Sequence, residues 1–151
     1  MNPQKHVPVS PQAGRDYSLG PLLRVAGQRA SAAFTAALTS LGIEGRHFGV
    51  MMNVARHGPM SQRRLCELTG SDKSSMMRTV DDLEARGLAI RRPAEGDRRA
   101  HAVDLTDAGR DLFTHAEEVA VRTNGELLGH LDPDEQEQLR RLLRKFIAPG
   151  E

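Results

Sequence analysis

Cysteine is almost absent: Cys66 is the single one in 151 residues. No internal disulfide can staple the fold, and a reducing compartment suits the chain. One thiol cannot build a sulfur-rich metal site, and His6, His47, His57, His101, His115 and His130 include no H-x-x-x-H pair, so no metal is expected. Long apolar runs are missing as well. No stretch approaches the roughly 18 consecutive apolar residues of a membrane span, and the opening MNPQKHVPVS lacks the apolar segment of a secretory signal. The expectation is a soluble, cytoplasmic protein with no membrane association. There is no phosphate-cradling glycine loop, no nucleophile elbow and no H-E-x-x-H pair, and the carboxylates scatter at helix-surface spacings. Neither enzymatic activity nor a cofactor is therefore expected.

Net charge is small, +1 from 21 Lys and Arg against 20 Asp and Glu, so the whole chain does not announce a polyanionic partner. Its distribution says more. Residues 56–104 hold ten basic and eight acidic side chains, whereas residues 107–151 hold six and ten. The middle is the part suited to face a polyanion. The length and a 38% apolar content fit about one domain with its own core.

Residues 1–15 carry Pro3, Pro8 and Pro11 and little apolar periodicity, the composition of a mobile N-terminal arm. From residue 19 to 41 a broad apolar stripe keeps helical spacing, and Gly42 supplies the stop. A second helix is predicted over 44–57, stopped by Gly58-Pro59. Gly49 inside it costs about 1 kcal/mol relative to alanine; either close packing or a ligand pocket would account for it. Ser61 caps a third helix over 62–69, ended by Gly70, and Ser71 or Asp72 caps a fourth that runs to Arg86. A hairpin follows, with strands near 88–92 and 99–105 and a tip over 93–98. Thr106 then caps a long helix. Asp132-Pro133-Asp134-Glu135 opens the last one, whose stripe is Leu139, Leu142, Leu143, Phe146 and Ile147. The outer helices (19–41, 106–131, 133–147) are more apolar on one side than a small monomer can bury. A twin chain would cover them, and two-fold symmetry would present two reading helices to a pseudo-palindromic site.

Residues 58–109 are the most informative. Helix, glycine-containing turn, helix and basic ribbon, in that order, suit a device that enters one groove of DNA and grips the backbone beside it. Wound at about 100° per residue, the fourth helix gathers Met76, Thr79, Val80 and Leu83 on one side, to pack on Leu65 and Leu68. Ser74, Ser75, Arg78 and Asp82 gather on the other, flanked by Met77 and Asp81. Arg78 can pair with guanine, Ser74 and Ser75 can donate to phosphate or base edges, and Met77 can touch a thymine methyl. Lys73 joins them at the helix start, where free N–H groups attract phosphate. Asp81, Asp82 and Glu84 confine the approach to the first two turns, since phosphate repels them. A plain solvated face is the bland alternative, and the order of elements weighs against it. On the ribbon, Arg91, Arg92, Arg98 and Arg99 supply four guanidinium groups, which suit a narrow minor groove. Asp97 is near enough to orient Arg99 by a carboxylate–guanidinium pair. A charged edge hairpin shielded from sheet pairing is the alternative there.

The segments HGPMSQRRLCELTGSDKSSMMRTVDDLEARGLAIRR and GDRRAHAVDLTDAGR resemble the MarR family of transcriptional regulators, which are winged helix-turn-helix homodimers. The likeness spans nearly the whole chain after residue 15. Its most specific part is the wing signature D-x-R followed by hydrophobic-x-L-T-x-x-G, here Asp97, Arg99, Val103, Leu105, Thr106 and Gly109. The resemblance implies a mainly α fold with a small β-wing: two helices, a strand, two helices, a strand, the wing, a strand and two helices. It implies a helical dimerisation region at 16–42 and 107–148 and a winged helix-turn-helix DNA-binding lobe at 43–106. The implied function is repression from a pseudo-palindromic operator in double-stranded DNA, relieved by a small molecule or an oxidant. By position, Ser74, Ser75 and Arg78 fall on the recognition helix, Gln62 and Arg63 near the DNA backbone, and Arg98 and Arg99 on the wing. Three positions depart from the family pattern. Thr79 stands where a large aliphatic residue is usual, Met77 where a small polar one is common, and Glu44 where Ser or Thr caps the second helix.

Family effectors sit where the first, second and fifth helices meet, which implies Arg24, Arg46, His47, Met51, Met52, Arg56, His57 and Phe113 here. Methionines make an adaptable apolar wall, and Arg or His can hold a carboxylate or phenolate. A small aromatic or phenolic effector is the expectation; methionines as core and basic groups as plain surface are the alternative. Two further readings stay open: a redox response through Cys66, and an interaction module that keeps the fold without the DNA contact. Repressor and activator use the same contacts, so the sequence does not choose between them.

Overall fold

The computed structural model describes residues 18–148. The expected arm at residues 1–15 and the side chain of Arg98 lie outside the described residues. Among the described residues six helices and one two-stranded antiparallel sheet follow in the order α1 (Leu19–Thr39), α2 (Gly45–His57), α3 (Gln62–Thr69), α4 (Lys73–Ala85), β1 (Ala89–Ala94), β2 (Asp97–Leu105), α5 (Asp107–Leu127) and α6 (Pro133–Ile147). The chain divides between Ala32 and Ala33 into two units. In the first, Leu19, Leu22 and Val25 of α1 are exposed.

The expected helix starts are present in the second unit. Ser61 accepts from the Arg64 N–H at 3.1 Å, Thr106 from the Gly109 N–H at 3.1 Å, and Asp132 from the Glu135 N–H at 2.9 Å. Of the two candidates before α4, Asp72 is the cap, accepting from the Ser75 N–H at 2.9 Å. Each such cap contributes about 1 kcal/mol. The hairpin tip is shorter than the sequence suggests. Pro93 and Ala94 extend β1, with the register slipping between them, and only Glu95 and Gly96 remain as the turn. Gly96 sits at φ 83°, where a side chain would be strained. The strand expected between α2 and α3 is reduced to one bridge, Met60 to Val103. Pro59 has no N–H to offer and Ser61 is already the α3 cap, so Met60 alone is left to pair.

The core joins Val50, Met51 and Val54 of α2 to Leu65 of α3, Met76, Val80 and Leu83 of α4, Val103 and Leu105 of β2, and Phe113 of α5. The buried side of α4 is the one expected, Thr79 included. It packs on Leu65 but not on Leu68, which stays 40% exposed. Thr69, the next residue, takes the inward position and lies against Gly49 of α2. A Cβ built on Gly49 would meet Thr69 Cγ2 at 3.7 Å, an ordinary contact, so packing does not demand the glycine. Gly49→Ala is expected to stabilise the protein by about 0.5–1 kcal/mol. That is a rise of roughly 2 °C in a thermal unfolding scan; a lower midpoint would contradict it.

None of the 15 residues of α6 is buried, and its apolar stripe of Leu139, Leu142, Leu143, Phe146 and Ile147 lies open. Among the described residues no helix is long and apolar enough to cross a membrane.

Candidate nucleic-acid interface

The first two turns of α4 present Lys73, Ser74, Met77 and Arg78 outward, with Met77 48% exposed. Ser75 is less free. Its hydroxyl donates to Asp72 Oδ2 at 2.7 Å and accepts from Arg78 Nη2 at 3.2 Å. A short relay, Asp72 to Ser75 to Arg78, thus holds the arginine over the helix start. The Ser75 hydroxyl, followed by its backbone N–H, holds the Asp72 carboxyl below its usual range, so the cap stays charged.

The carboxylates further along α4 are each paired within the protein. The helical wheel put Asp82 beside Arg78 on the open side, yet it turns back to α2. There His47 Nε2 bonds its Oδ2 at 2.7 Å and Arg46 Nη2 reaches the same oxygen at 3.4 Å. Arg91 was expected to join the basic face of the ribbon. Instead it points inward: its guanidinium bonds Asp81 at 2.6 Å, Glu84 closely and Gln62 Oε1 at 3.1 Å. Its backbone N–H donates to the other Glu84 oxygen at 2.7 Å. Adjacent strand residues face opposite ways, so Arg91 and Arg92 never shared a side. Gln62 keeps its place beside α4, but its carbonyl faces Arg91, which leaves its amide N–H groups as the part it can offer a phosphate.

Arg92, on the other face of β1, stands 3.5 Å from Asp104, and Arg110 of α5 bonds that carboxylate at 2.7 Å. Asp104 also accepts its neighbour's backbone N–H, from Leu105 at 2.8 Å. This anionic post, almost fully enclosed, ties the wing to α5. Asp97 does not pair with the Arg99 guanidinium as expected; its Oδ1 takes the Arg99 backbone N–H at 2.9 Å. A short acid two residues back closes an Asx turn more easily than it reaches a long side chain. Arg99 is left exposed. Arg63 lies at the α3 start and shares Glu67 with Arg64, at 3.3 and 3.1 Å.

The residues implied for an effector are scattered in environment. Arg24, in the first unit, bonds Gln28 at 3.3 Å. His47 and Met51 are buried, Met52 is partly so, and Arg56 reaches Glu117 of α5 at 3.4 Å beside the exposed His57. Phe113 tilts against Phe48 at 5.6 Å, and Phe48 meets Phe34 edge-on at 5.0 Å. Sequence reasoning missed the pairing of Asp82 with His47 and of Asp104 with Arg110. Arg46 also grips Glu44 through two bonds, at 2.9 and 3.3 Å. Cys66 is partly buried against the core. Among the described residues no group of three or more His, Cys, Asp or Glu can hold a metal ion.

A family model described as the MarR family matches residues 41–100. A probable transcriptional regulator from Pseudomonas aeruginosa is 31% identical over 87% of this chain and 98% of its own, with a TM-score of 0.78. The MarR family protein Rv2887 of Mycobacterium tuberculosis, solved in complex with DNA, is 26% identical over 88% of this chain and 100% of its own, TM-score 0.77. BpsR of Bordetella bronchiseptica, whose DNA binding is regulated by 6-hydroxynicotinic acid, is 28% identical over 90% and 99%, TM-score 0.80.

Proposed function

The chain belongs to the MarR family and is a DNA-binding transcriptional regulator; from that premise we propose a homodimer that represses by occupying a pseudo-palindromic operator in the cytoplasm. It works by occupancy, not by turnover. One observation carries the reading. Every carboxylate on α4 and at its cap is bonded within the protein, while Lys73, Ser74, Met77 and Arg78 face outward. A helix whose anions are each paired within the protein while its cations face outward is suited to a phosphate-lined groove. Gln62 and Arg63 beside it, with Arg92, Asp97, Arg98 and Arg99 on the wing, complete the proposed surface. The open apolar stripe of α6 and the exposed apolar residues of α1 support helices at 16–42 and 107–148 as the dimer region, with 43–106 as the reading lobe.

The effector is proposed to be a small aromatic or phenolic acid. Arg56 and His57 would take the acid, and Met51, Met52 and Phe113 the ring. The Bordetella relative's response to 6-hydroxynicotinic acid supports that chemistry. Duplexes enriched from a randomised pool test both halves. With six to ten phosphate contacts, affinity for the enriched duplex should drop about 10³- to 10⁵-fold between 50 and 200 mM salt. Failure to enrich any duplex, or a flat salt response, would remove the DNA surface proposed. Titrating the bound duplex with a panel of aromatic acids should release it with at least one member; release by none would remove the effector.

A further inference from the structure

His47 has 2% of its surface exposed, and both ring nitrogens are engaged. Nδ1 lies 3.0 Å from the backbone N–H of Glu44, which donates to it. That nitrogen therefore carries no proton, and in the neutral ring the proton is on Nε2, which donates to Asp82 Oδ2 at 2.7 Å. One rigid ring thus caps the start of α2 and holds α4. Asp82 is four residues from Arg78, one turn along the same row of the helix. Without its hold on α2 that carboxylate would lie on the outward side with Arg78, where phosphate would meet it. Arg46 adds to the hold at 3.4 Å from Asp82, and its Nη1 stands 3.5 Å from the Thr79 hydroxyl. Of the three positions that depart from the family pattern, Glu44 and Thr79 are partners of this cluster, and Met77 is not.

We propose that His47 is a positioning residue for DNA recognition: through its Nε2–H bond to Asp82 it sets the roll of α4 and keeps a carboxylate off the operator, while its unprotonated Nδ1 anchors the same ring at the start of α2. The proposal rests on α4 being the reading helix. A second proton would go to Nδ1, opposite the Glu44 N–H, and two donors cannot bond. The charged groups facing the ring are Glu44 and Arg46 from its own end of α2 and Asp82 from α4. Among the described residues α3, α5 and β2 place no charged group in bonding distance. Burial lowers the ring's pKa below its usual 6.5; the Asp82 bond opposes this and Arg46 reinforces it. The folded state therefore favours the neutral ring. The Nδ1 anchor at the α2 start is complete above the ordinary histidine range and is lost as pH falls through the lowered value, whereas Nε2–H can donate to Asp82 in either state.

The test compares affinity for the enriched duplex with that for a scrambled duplex of equal length, using the full-length protein. At pH 7.5, His47→Phe and Asp82→Ala should each reduce the ratio about tenfold or more, the scale of a hydrogen bond to a charged group. His47→Gln should retain it, because its amide offers one acceptor and one donor like the ring, and glutamine at this position is a natural capping partner. As pH falls below the ordinary histidine range, the parent should lose its preference before His47→Gln does, because only the parent's anchor at the α2 start titrates. Asp82 is partly exposed, so Asp82→Ala remains informative if His47→Phe fails to fold. An unchanged ratio for Asp82→Ala, or the same loss at low pH in His47→Gln as in the parent, overturns the proposal. A parent that prefers no duplex overturns the DNA reading itself, and this inference with it.

Discussion

Gly109→Ala is expected to destabilise the protein by more than about 3 kcal/mol, enough to lower its urea midpoint sharply. A Cβ at this position would lie 1.9 Å from the Leu88 carbonyl oxygen and 2.9 Å from the Leu88 carbonyl carbon. The obstacle is backbone, so no side chain can swing aside. The backbone is also pinned from several sides. The Leu88 carbonyl accepts the Thr106 N–H at 3.2 Å, the Thr106 hydroxyl donates to the Gly87 carbonyl at 2.6 Å, and that hydroxyl accepts the Gly109 N–H at 3.1 Å. Relief would mean moving either Leu88, part of the core, or the first turn of α5, which carries Phe113 into that core one turn later. Gly125→Ala on the same helix is the control. A Cβ there meets nothing, and alanine should leave stability equal or slightly higher. Equal midpoints for the two variants would show that the α5 start yields far more easily than its bonds suggest.

Gly109 illustrates what a sequence shows and what it hides. Its place in the wing signature was readable, but its reason was not, because Leu88 lies 21 residues away in the chain and approaches only once the hairpin has closed. Local rules did well where a local cause dominates. The caps at Ser61, Thr106 and Asp132, and the Met76, Thr79, Val80, Leu83 side of α4, follow from residue type and helical period alone. They failed where a partner from elsewhere competes. Asp82 was placed by its angle on the wheel, yet a buried imidazole from α2 draws it off that side. Arg91 was legible in principle, since strand alternation separates it from Arg92; counting charge along the ribbon concealed the alternation. The shortened strand at Met60 needed only Pro59 and the Ser61 cap to be weighed together. The α4 carboxylates make the strongest case. As a sequence they mark where DNA approach is expected to stop, whereas in the fold they fasten α4 to α2 and β1.

Arg78→Ala and Arg99→Ala should then fail in different ways, and the difference tests whether helix and wing divide the labour. Arg78 leaves the outward side of α4, with the Ser75 hydroxyl steadying its guanidinium. A pre-oriented arginine at a base edge contributes about 1–3 kcal/mol of discrimination. Arg78→Ala should accordingly weaken binding to the enriched duplex about 10- to 100-fold and shift affinity for a scrambled duplex far less. Arg99 stands exposed on β2, its main chain fixed by Asp97 while its side chain is unconstrained by that acid. With Arg99 proposed to meet phosphate or the minor groove, Arg99→Ala should weaken both duplexes alike and lower the salt slope by about one. Parallel losses in both variants would mean that α4 grips without reading. If neither variant differs from the parent, the surface lies elsewhere on the molecule, and the inward pairing of the α4 carboxylates serves stability alone.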